Sequence, residues 1–296
     1  MTLVLALLAA VAQDSWPVVV DGKPFTTLYA GTAKPYLHPL RSASGKILTR
    51  QYPMADVAGE TKDHPHHRGL WFSHGDVNGW DFWANEESQK GVGKGKGVIK
   101  LRDAKQHNGS LLAFSADWLD GDGNLVLTED RIMRFQAGAD TRAIDFEINR
   151  VARTAVTFGD TKEGTFAIRL NDQMIEGKGG NGKMTAADDR VGEKLIWGKR
   201  SPWVDYAGTV DGEPVAIAIF DHPSNPHAPT YWHARAYGLF AANIFGLHDF
   251  YNDKSKDGSV KLKTGDKLLF RYRVWIHPGP TDPGKVGAAY QQWAGR

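Results

Sequence analysis

The chain has 296 residues, of which 41% are hydrophobic and 24% are charged, so it is long enough to bury a sizeable globular core. Its formal net charge of +2 gives no electrostatic basis for binding nucleic acid, and no run of Lys and Arg stands out. The absence of cysteine excludes disulfides, thiolate nucleophiles and Cys-ligated metal centres.

The N-terminus combines an apolar run at residues 3–11 with an Ala-Val-Ala sequence at its end. This pattern predicts a secretory signal peptide of residues 1–12, and therefore a periplasmic or secreted protein. A hydrophobic first strand is the alternative. The remaining residues 13–296 are predicted to form one domain, and no apolar stretch is close to the roughly twenty residues that a membrane-spanning helix needs.

Alternation of apolar and polar residues, which is typical of half-buried strands, recurs along most of the chain. Residues 16–29 read as two strands joined by a tight turn at an Asp-Gly-Lys-Pro sequence. Further strands are predicted at residues 111–118, 125–135, 141–151, 165–170, 214–220 and 270–276.

Helical periodicity is scarce and is clear only at residues 283–293, with Thr281 or Asp282 as the N-cap. Residues 91–97 are rich in glycine but lack the spacing of a phosphate-binding loop, which predicts a flexible connector. Residues 171–193 are predicted to be a long loop or insertion. Together these patterns predict an all-β fold, a large antiparallel β-sandwich with a short C-terminal helix.

Polar and aromatic side chains are concentrated in three segments, of which residues 62–84 are the densest. This central segment reads KDHPHHRGLWFSHGDVNGWDFWA and sets histidines and carboxylates beside three tryptophans on a glycine-punctuated loop. The second segment is residues 160–169, and the third is residues 221–249. These side chains donate or accept hydrogen bonds or titrate near neutral pH, and they stand beside flat aromatic rings. This combination indicates a site for a small polar ligand, and we expect a carbohydrate.

Acid–base catalysis is the function that this set of side chains favours. A neutral imidazole titrates near working pH, so histidines together with a carboxylate can take a proton from a sugar and return it elsewhere. The predicted catalytic residues are His64, His67, Glu163 and His233. We expect arginines to anchor polar groups of the ligand and tryptophans to stack on its ring. The predicted substrate-binding residues are Arg68, Trp71, His74, Asp76, Asn78, Trp83, Arg169, Asp221, His222, Trp232, Arg235, Tyr237 and Asn243.

A metal centre is a second interpretation of the same histidines. His64 and His66 stand two residues apart, which places two imidazoles on one side of an extended strand, and His67, His74 or His222 would complete a site. No H-E-x-x-H signature is present, and hydrogen bonds to the backbone would hold the same imidazoles. No metal ligand is therefore assigned, and the cofactor stays unknown.

The three segments, as KDHPHHRGLWFSHGDVNGWDFW, DTKEGTFAIRL and FDHPSNPHAPTYWHARAYGLFAANIFG, resemble the domain family labelled methane oxygenase PmoA. The resemblance covers residues 15–295 and implies a galactose mutarotase-like β-supersandwich, in secreted proteins of bacteria rich in polysaccharide-degrading genes. Methane oxidation is not inferred, because the methane monooxygenase subunit of that name spans the membrane several times and this chain has no such span.

Mutarotase-like enzymes use His as an acid and a carboxylate as a base at C1 of a sugar, and the resemblance implies these roles for His64 or His67, His233 and Glu163. Mutarotases commonly place the base Glu late in the chain, where this sequence has no obvious counterpart, so hydrolase, lyase and epimerase stay open. We expect an exported carbohydrate-active protein that binds a small-molecule or oligosaccharide ligand. A noncatalytic carbohydrate-binding protein and a His-ligated, metal-dependent oxidoreductase are the alternatives.

Overall fold

Strands dominate the computed structural model, which describes residues 14–295. The strands are β1 Ser15–Val20, β2 Lys23–Tyr29, β3 Tyr36–Leu37, β4 Leu70–His74, β5 Val98–His107, β6 Leu111–Leu119, β7 Leu125–Ala137, β8 Arg142–Ala152, β9 Val156–Phe158, β10 Gly164–Arg169, β11 Lys183–Ala186, β12 Trp203–Val210, β13 Glu213–Asp221, β14 Tyr231–Ala234, β15 Leu239–Asn243, β16 Val260–Leu262 and β17 Lys267–Pro278. The helices are α1 Glu193–Ile196, α2 Leu247–Tyr251 and α3 Pro283–Ala294, and short 3-10 turns lie at Glu87–Gln89 and Asp172–Met174.

Pairing between these strands is antiparallel throughout, and it produces two large sheets and one small one. The first sheet has seven strands in the order β1-β2-β3-β4-β10-β15-β14. The second sheet has eight strands in the order β11-β12-β13-β17-β8-β7-β6-β5, and β9 pairs with β16 separately. The predicted all-β fold with a large antiparallel β-sandwich is confirmed.

The main hydrophobic core lies between the two large sheets, where aromatic rings from both sides meet. Phe166 of the first sheet stacks on Tyr272 of the second with ring centroids 4.5 Å apart, and it meets Phe146 edge to face at 4.9 Å. Phe72 and Phe270 lie 5.8 Å apart across the same interface. Because alternate side chains of a strand point to opposite faces, the residues next to Phe72 and Phe166 lie on the outer face of the first sheet.

That outer face carries a second, smaller apolar cluster. Its buried members are Tyr36, Trp71, Trp83, Ala167, Leu239 and Ala241. The partly buried rings of Tyr29 and Tyr237 pack against it. The first sheet is therefore covered by apolar side chains on both faces near its centre, and the outer cluster supports the site described below.

The predicted C-terminal helix is observed as α3. Its N-cap is Asp282, whose side chain accepts a hydrogen bond from the backbone N of Lys285 at 3.1 Å. Val286, Tyr290 and Trp293 are buried against apolar residues of β12 and β13. The helix thus covers part of the outer face of the second sheet, on the opposite side of the sandwich from the outer cluster of the first.

One predicted loop differs from the structure. Residues 171–193 contain strand β11, which pairs with β12 at the edge of the second sheet, and the 3-10 turn Asp172–Met174. A four-residue strand gives too brief an alternation to be recognised beside a glycine-rich tract. The predicted signal peptide lies outside the described residues. None of the helices within residues 14–295 is long and apolar enough to cross a membrane.

Candidate functional site

A pocket of about 480 Å³ lies beside the apolar cluster on the outer face of the first sheet. Its lining residues are His64, His66, His67, Gly75, Asp81, Trp83, Ala84, Lys162, Glu163, His233, Arg235 and Tyr237. All four predicted catalytic residues are among them, as are three of the predicted substrate-binding residues, Trp83, Arg235 and Tyr237. Segments far apart in the chain therefore meet at one place.

Three imidazole rings are gathered by the turn at His64-Pro65-His66-His67. His64 has a left-handed backbone with a φ of 43°, and its carbonyl accepts a hydrogen bond from the backbone N of His67 at 3.0 Å. The ring of His67 lies 4.4 Å from that of His66 and, nearly parallel, 4.7 Å from that of His64. The ring of His64 continues this stack onto Tyr237 at 5.4 Å. The turn thus forms one wall of the pocket.

Two buried arginines and the exposed carboxylate of Asp63 hold this turn in place. Arg169, on β10, pairs with Asp63 at 2.8 Å, and Arg50 pairs with the same carboxylate. Arg50 also donates to the carbonyl of His64 at 3.0 Å. Burial raises the pKa of Asp63, but the hydrogen bond from His64 and the charge of Arg169 outweigh burial and hold that pKa well below its usual range. Arg169 is buried and is not among the lining residues, so this predicted binding residue supports the turn instead of contacting the pocket.

Hydrogen-bond partners indicate which nitrogen carries the hydrogen on His66 and His67. Arg169 lies 3.4 Å from Nδ1 of His67, and a guanidinium only donates, so Nε2 bears the hydrogen of the neutral ring. Gln89 donates to Nδ1 of His66 at 2.8 Å, because its own carbonyl oxygen accepts from the backbone N of Glu86 at 3.3 Å. Burial lowers the pKa of His66 to about 2 and that of His67 well below its ordinary value, so both rings are neutral.

His233 on β14 has the opposite arrangement. Its Nδ1 donates to the carbonyl of Lys162 at 2.8 Å, so Nε2 of the neutral ring carries a lone pair. Burial lowers the pKa of His233 to about 3. The Nε2 atom is buried and has no hydrogen-bond partner within residues 14–295. His233 can therefore accept a hydrogen bond or a proton from a ligand.

Glu163 supplies a carboxyl group to the pocket. Its side chain is 38% exposed, and Nζ of Lys162 lies 3.5 Å from its Oε1. Burial raises the pKa of Glu163 despite this cation. Gly75 directly follows β4, and Glu163 directly precedes β10. Gly75 permits the close approach of these two positions, because a Cβ there would lie 2.8 Å from Cβ of Glu163. The backbone N of Gly75 donates to the Glu163 carbonyl at 2.7 Å, which fixes the carboxyl group's position on the pocket wall.

Asn243 orients the loop that carries Glu163 without reaching the pocket itself. Its buried side-chain amide donates to the carbonyls of Thr161 at 3.0 Å and Lys162 at 2.9 Å. The Lys162 carbonyl also accepts the hydrogen bond from His233. One loop therefore positions both Glu163 and His233, and the predicted binding residue Asn243 has a supporting role.

Strand alternation keeps Trp232 away from the pocket. Its neighbour His233 lies on the outer face, so Trp232 points into the main core, where its indole N donates to the Ser201 carbonyl at 3.0 Å. Trp232 is fully buried and cannot stack on a ligand in the pocket. The predicted contact between Trp232 and substrate does not agree with this position.

His74 and Trp71, both on β4, are also outside the pocket. The ring of His74 packs 4.6 Å from Phe245 on the core side, and its Nε2 donates to the Gly159 carbonyl at 2.8 Å. Burial lowers the pKa of His74 to about 4. Trp71 is on the outer face but lies beneath the ring of His67, at 5.2 Å, and is fully buried. The structure therefore does not place either predicted binding residue against a ligand in the pocket.

Three more predicted binding residues of the central segment lie outside the pocket. Arg68 forms a bidentate pair with Glu86, at 2.9 and 3.0 Å, and lines a neighbouring cavity of about 390 Å³. Asp76 pairs with a lysine, and Asn78 donates to a backbone carbonyl. Asp76 and Asn78 thus stabilise the loop that follows β4.

Asp221 and His222 are placed on the other side of the sandwich, at the turn after β13. Asp221 accepts hydrogen bonds from the side chain of Asn225 at 2.7 Å and the backbone N of Thr230 at 2.8 Å, and burial raises the pKa of Asp221 to about 7. The ring of His222 packs 5.1 Å from Trp293 of α3. The predicted contact of Asp221 and His222 with substrate does not agree with this position.

Three polar lining residues were not among the predicted catalytic or substrate-binding residues: His66, Asp81 and Lys162. His66 and Lys162 adjoin the predicted residues His67 and Glu163, so their neighbourhood was a usable signal. Asp81 lies within the central segment, two residues before the predicted residue Trp83, so the same signal applied to it. Its position depends on how the loop after β4 returns to the pocket.

The three histidines of the turn at residues 64–67 are engaged with protein partners at Nδ1. His64 pairs with Asp63 at 3.1 Å, and the rings of His66 and His67 accept from Gln89 and Arg169. Among residues 14–295, no group of three or more His, Asp or Glu side chains is arranged to hold a metal ion.

The fold and the pocket together define an antiparallel β-sandwich with a histidine-lined site on the outer face of one sheet. The chain belongs to DUF6807, a family of unknown function, and the match covers residues 15–291. No match is found among curated proteins. The description of the family gives no activity, so the methane oxygenase label stays a resemblance.

Solved structures with similar chains include proteins named for sugar chemistry. A galactose mutarotase related enzyme from Lactobacillus acidophilus is 8% identical with a TM-score of 0.47, over 90% of this chain and 99% of that chain. A GalM/aldose epimerase homologue from C. elegans is 10% identical with a TM-score of 0.41, over 86% and 97%. The GH36 alpha-galactosidase AgaA from Geobacillus stearothermophilus is 8% identical with a TM-score of 0.42, over 90% and 41%. These likenesses transfer neither residue roles nor activity to this chain.

Proposed function

We propose that this protein is a carbohydrate-active enzyme in which His233 and Glu163 move protons on a bound sugar. The observation that carries the proposal is that two groups line one pocket: a neutral imidazole whose lone pair has no partner among residues 14–295, and a carboxyl group with a raised pKa. Near neutral pH the imidazole is a free base, whereas the carboxyl group holds a proton more readily than an ordinary Glu. His233 is therefore assigned as the general base and Glu163 as the general acid.

His66 and His67 have a different role in this proposal. A neutral imidazole N–H is too weak an acid to give up its hydrogen, but it stabilises negative charge that develops on an oxygen. His67 is held in this donor form by Arg169, and His66 by Gln89. The sequence-based prediction of His67 as an acid or base is thus refined to that of a hydrogen-bond donor.

A sugar fits the pocket because its hydroxyl groups both donate and accept hydrogen bonds. The volume of about 480 Å³ is in the range typical of small-molecule sites. The pocket offers acceptors at His233 and Glu163, donors at His66 and His67, and the partly exposed ring of Tyr237. This mixture suits a ring that carries several hydroxyl groups.

The lining favours elimination or epimerisation over the glycosidase mechanism, in which two carboxylates hydrolyse the glycosidic bond. Asp81, the second carboxylate of the lining, accepts from the backbone N atoms of Trp83 and Ala84 at 2.8 and 2.9 Å and pairs with Lys96 at 2.9 Å. Its oxygens are therefore already engaged, whereas a glycosidase needs a second free carboxylate as nucleophile or base. A lyase or an epimerase needs one base and one acid, which His233 and Glu163 supply.

We also propose that the protein is exported, which is supported by the apolar run and the Ala-Val-Ala sequence at residues 1–12. Cleavage before Gln13 would leave a mature chain of residues 13–296. Intact-mass spectrometry of the protein recovered from the periplasm or medium of a bacterial host tests this, and an uncleaved N-terminus would contradict it.

Substitution of the proposed acid and base provides the test. Glu163→Gln and His233→Gln keep the size and polarity of each side chain but remove the proton transfer, so turnover should fall by about 10²–10⁴-fold. Turnover can be followed by proton NMR on a panel of free sugars and glycosides, which reports new anomeric signals, anomer exchange and new double bonds.

His107→Gln is the matched control, because His107 is exposed at the end of β5 and does not line the pocket. It should retain full turnover. Wild-type protein that converts no member of the panel but binds one tightly would instead identify a noncatalytic carbohydrate-binding protein. Full activity of both pocket variants would contradict the assigned roles.

A further inference from the structure

One corner of the pocket presents only hydrogen-bond donors. It is formed by His66, His67 and Trp83, and we call it the donor corner. The ring centroids are 4.4 Å apart between His66 and His67, 5.9 Å between His67 and Trp83, and 6.4 Å between His66 and Trp83. All three side chains line the pocket, so three rings that each carry an N–H group border one small region of it.

Two of these N–H groups lack acceptors among residues 14–295. Nε2 of His67 and Nε1 of Trp83 are buried and have no hydrogen-bond partner among the described residues. On His66 the Nδ1 atom is occupied by Gln89, which leaves the hydrogen on Nε2. A buried donor without an acceptor costs free energy, and two such donors in one pocket indicate that a ligand atom completes them.

Positive charge predominates behind the donor corner. Arg50 and Arg169 are both buried and share the carboxylate of Asp63, so this group of three carries a net charge of +1. Lys34 is also buried, and its ammonium group donates to the carbonyl of Trp83 at 2.8 Å. It pairs with Glu86 at 3.7 Å, and Glu86 pairs with Arg68 as well, so this second group of three also carries a net charge of +1. After burial, the charges of Lys34 and Arg50 are among the causes that lower the pKa of His66. A group that bears negative charge is therefore favoured at this corner.

We propose that the donor corner binds the carboxylate of an acidic sugar, and that uronic acids are the substrate class of this pocket. This inference rests on the proposed function. A carboxylate only accepts hydrogen bonds and offers two oxygens, which matches a region that only donates. A neutral hydroxyl group would bring a hydrogen for which the donor corner has no acceptor.

The location of the donor corner also agrees with the proposed chemistry. Hydrogen bonds to a carboxylate stabilise negative charge that moves onto it when the neighbouring C–H loses its proton. His233 lines the same pocket and carries the lone pair that would take that proton. When the carboxylate of a sugar is bound at the donor corner, the C–H next to that carboxylate thus becomes more acidic.

Binding of paired sugars tests the proposal. D-galacturonate and D-glucuronate are titrated against the full chain beside D-galactose and D-glucose, with Kd measured by ligand-observed NMR. We expect each uronate to bind about tenfold or more tightly than its neutral partner, because hydrogen bonds to a charged group are stronger than those to a neutral one. Equal Kd values within both pairs would overturn the proposal.

Trp83→Phe removes one N–H of the donor corner while retaining an aromatic ring. It should reduce the preference for uronates by about tenfold. Trp197→Phe is the matched control, because its indole N is also buried without a partner in the described part of the chain but lies outside the pocket lining. Equal losses in the two variants would show that the effect comes from packing and would overturn the proposal.

His66 provides a second pair of variants in case Trp83→Phe does not fold. His66→Gln keeps an N–H donor and should retain the preference, whereas His66→Leu should lose it. Turnover of the same four sugars separates this inference from the proposed function. Conversion of neutral sugars without any uronate preference overturns the inference alone, while tight uronate binding without conversion supports it and contradicts the enzyme assignment.

Discussion

His67 and His233 are both buried and neutral, yet the first offers a hydrogen to the pocket region and the second a lone pair. The difference lies in the group at Nδ1, which is a guanidinium at His67 and a backbone carbonyl at His233. A sequence shows that a histidine is present but not which of its nitrogens is free. The chemical role of each residue is thus decided by a partner that is distant in the chain.

Gly75 is the residue whose substitution should most directly displace Glu163. A Cβ at Gly75 would lie 2.8 Å from Cβ and 3.1 Å from the backbone O of Glu163, so Gly75→Ala forces the two strands apart. We expect the free energy of unfolding to fall by about 1–3 kcal/mol and turnover to fall by a larger factor than stability alone explains. Chemical denaturation and the NMR turnover assay measure the two effects.

Gly287→Ala is the control for Gly75→Ala. Gly287 lies inside α3, and a Cβ there meets no atom within 4 Å. The substitution should stabilise the protein by about 0.5–1 kcal/mol, because alanine has the higher helix propensity, and should leave turnover unchanged. Wild-type turnover in Gly75→Ala would show that the position of Glu163 does not limit the reaction.

At the scale of secondary structure, alternation along each strand selects the residues that reach the pocket. His233 and Trp232 are neighbours on β14, and only one of them can lie on the outer face. The prediction that both contact substrate therefore conflicts with the geometry of a strand. The same holds for His74, which shares the core face of β4 with Phe72.

The conspicuous FDHPSNP segment has a structural explanation in the turn between β13 and β14. The side chain of Asn225 donates to Asp221 and to the Arg271 carbonyl, both at 2.7 Å, and accepts from the backbone N of Arg271 at 2.7 Å. These bonds tie the turn to strand β17. A segment dense in polar residues can thus serve turn formation as readily as ligand binding.

Strand β8 carries a buried arginine whose replacement should stabilise the protein. Arg150 is fully buried, its three guanidinium nitrogens have no hydrogen-bond partner among residues 14–295, and it lies 4.6 to 4.8 Å from the rings of Phe72, Phe158 and Phe270. Burial lowers its pKa to about 10, so the charge is held at a cost in free energy. We expect Arg150→Met to leave the free energy of unfolding unchanged or to raise it by about 1–4 kcal/mol.

Arg150→Ala separates the cost of charge from the value of packing. It removes the same charge but leaves a cavity among the aromatic rings, so it should destabilise the protein by about 2–5 kcal/mol. Urea denaturation of the two variants measures the contrast. A large loss of stability in Arg150→Met would show that the interaction of the cation with the rings outweighs the cost of burial.

At the scale of the whole molecule, several buried neutral histidines couple folding to pH. They are His38, His66, His67, His74 and His233. Burial lowers the pKa of His38 and His74 to about 4 and that of His233 to about 3. Below pH 6.5 the unfolded chain binds protons at these groups and the folded chain does not, so the free energy of unfolding falls as pH decreases towards the folded pKa values.

Acid should therefore unfold this protein cooperatively. Each such histidine lowers the free energy of unfolding by about 1.4 kcal/mol for every pH unit that the pH falls between 6.5 and its folded pKa. Over about two pH units, the combined loss from these histidines is comparable to the entire stability of a typical domain. We expect Tm from calorimetry to be nearly constant from pH 8 to 7 and to fall steeply below pH 6. A Tm that stays flat down to pH 4.5 would contradict this account.

His277 works in the opposite sense and offers a control. Its pairing with the buried Asp205, at 3.3 Å, outweighs burial and raises the pKa of His277. Its contribution to stability is thus fully present below pH 6.5 and is lost as pH rises through the folded pKa. His277→Gln should consequently lower Tm more at pH 6 than at pH 9, without removing the acid transition.

The sequence by itself determined the class of fold and the position of eight of the seventeen strands within residues 14–295, because a period of two in apolar residues is a local property that survives without tertiary information. It also determined that the residues around His64, Glu163 and His233 are dense in groups suited to proton transfer. The tertiary structure alone decided which of these groups meet, which face each occupies and which nitrogen of each histidine is free. Those outcomes depend on strand pairing and on buried partners such as Arg169 and Gln89, and contacts between distant segments leave no trace in local periodicity.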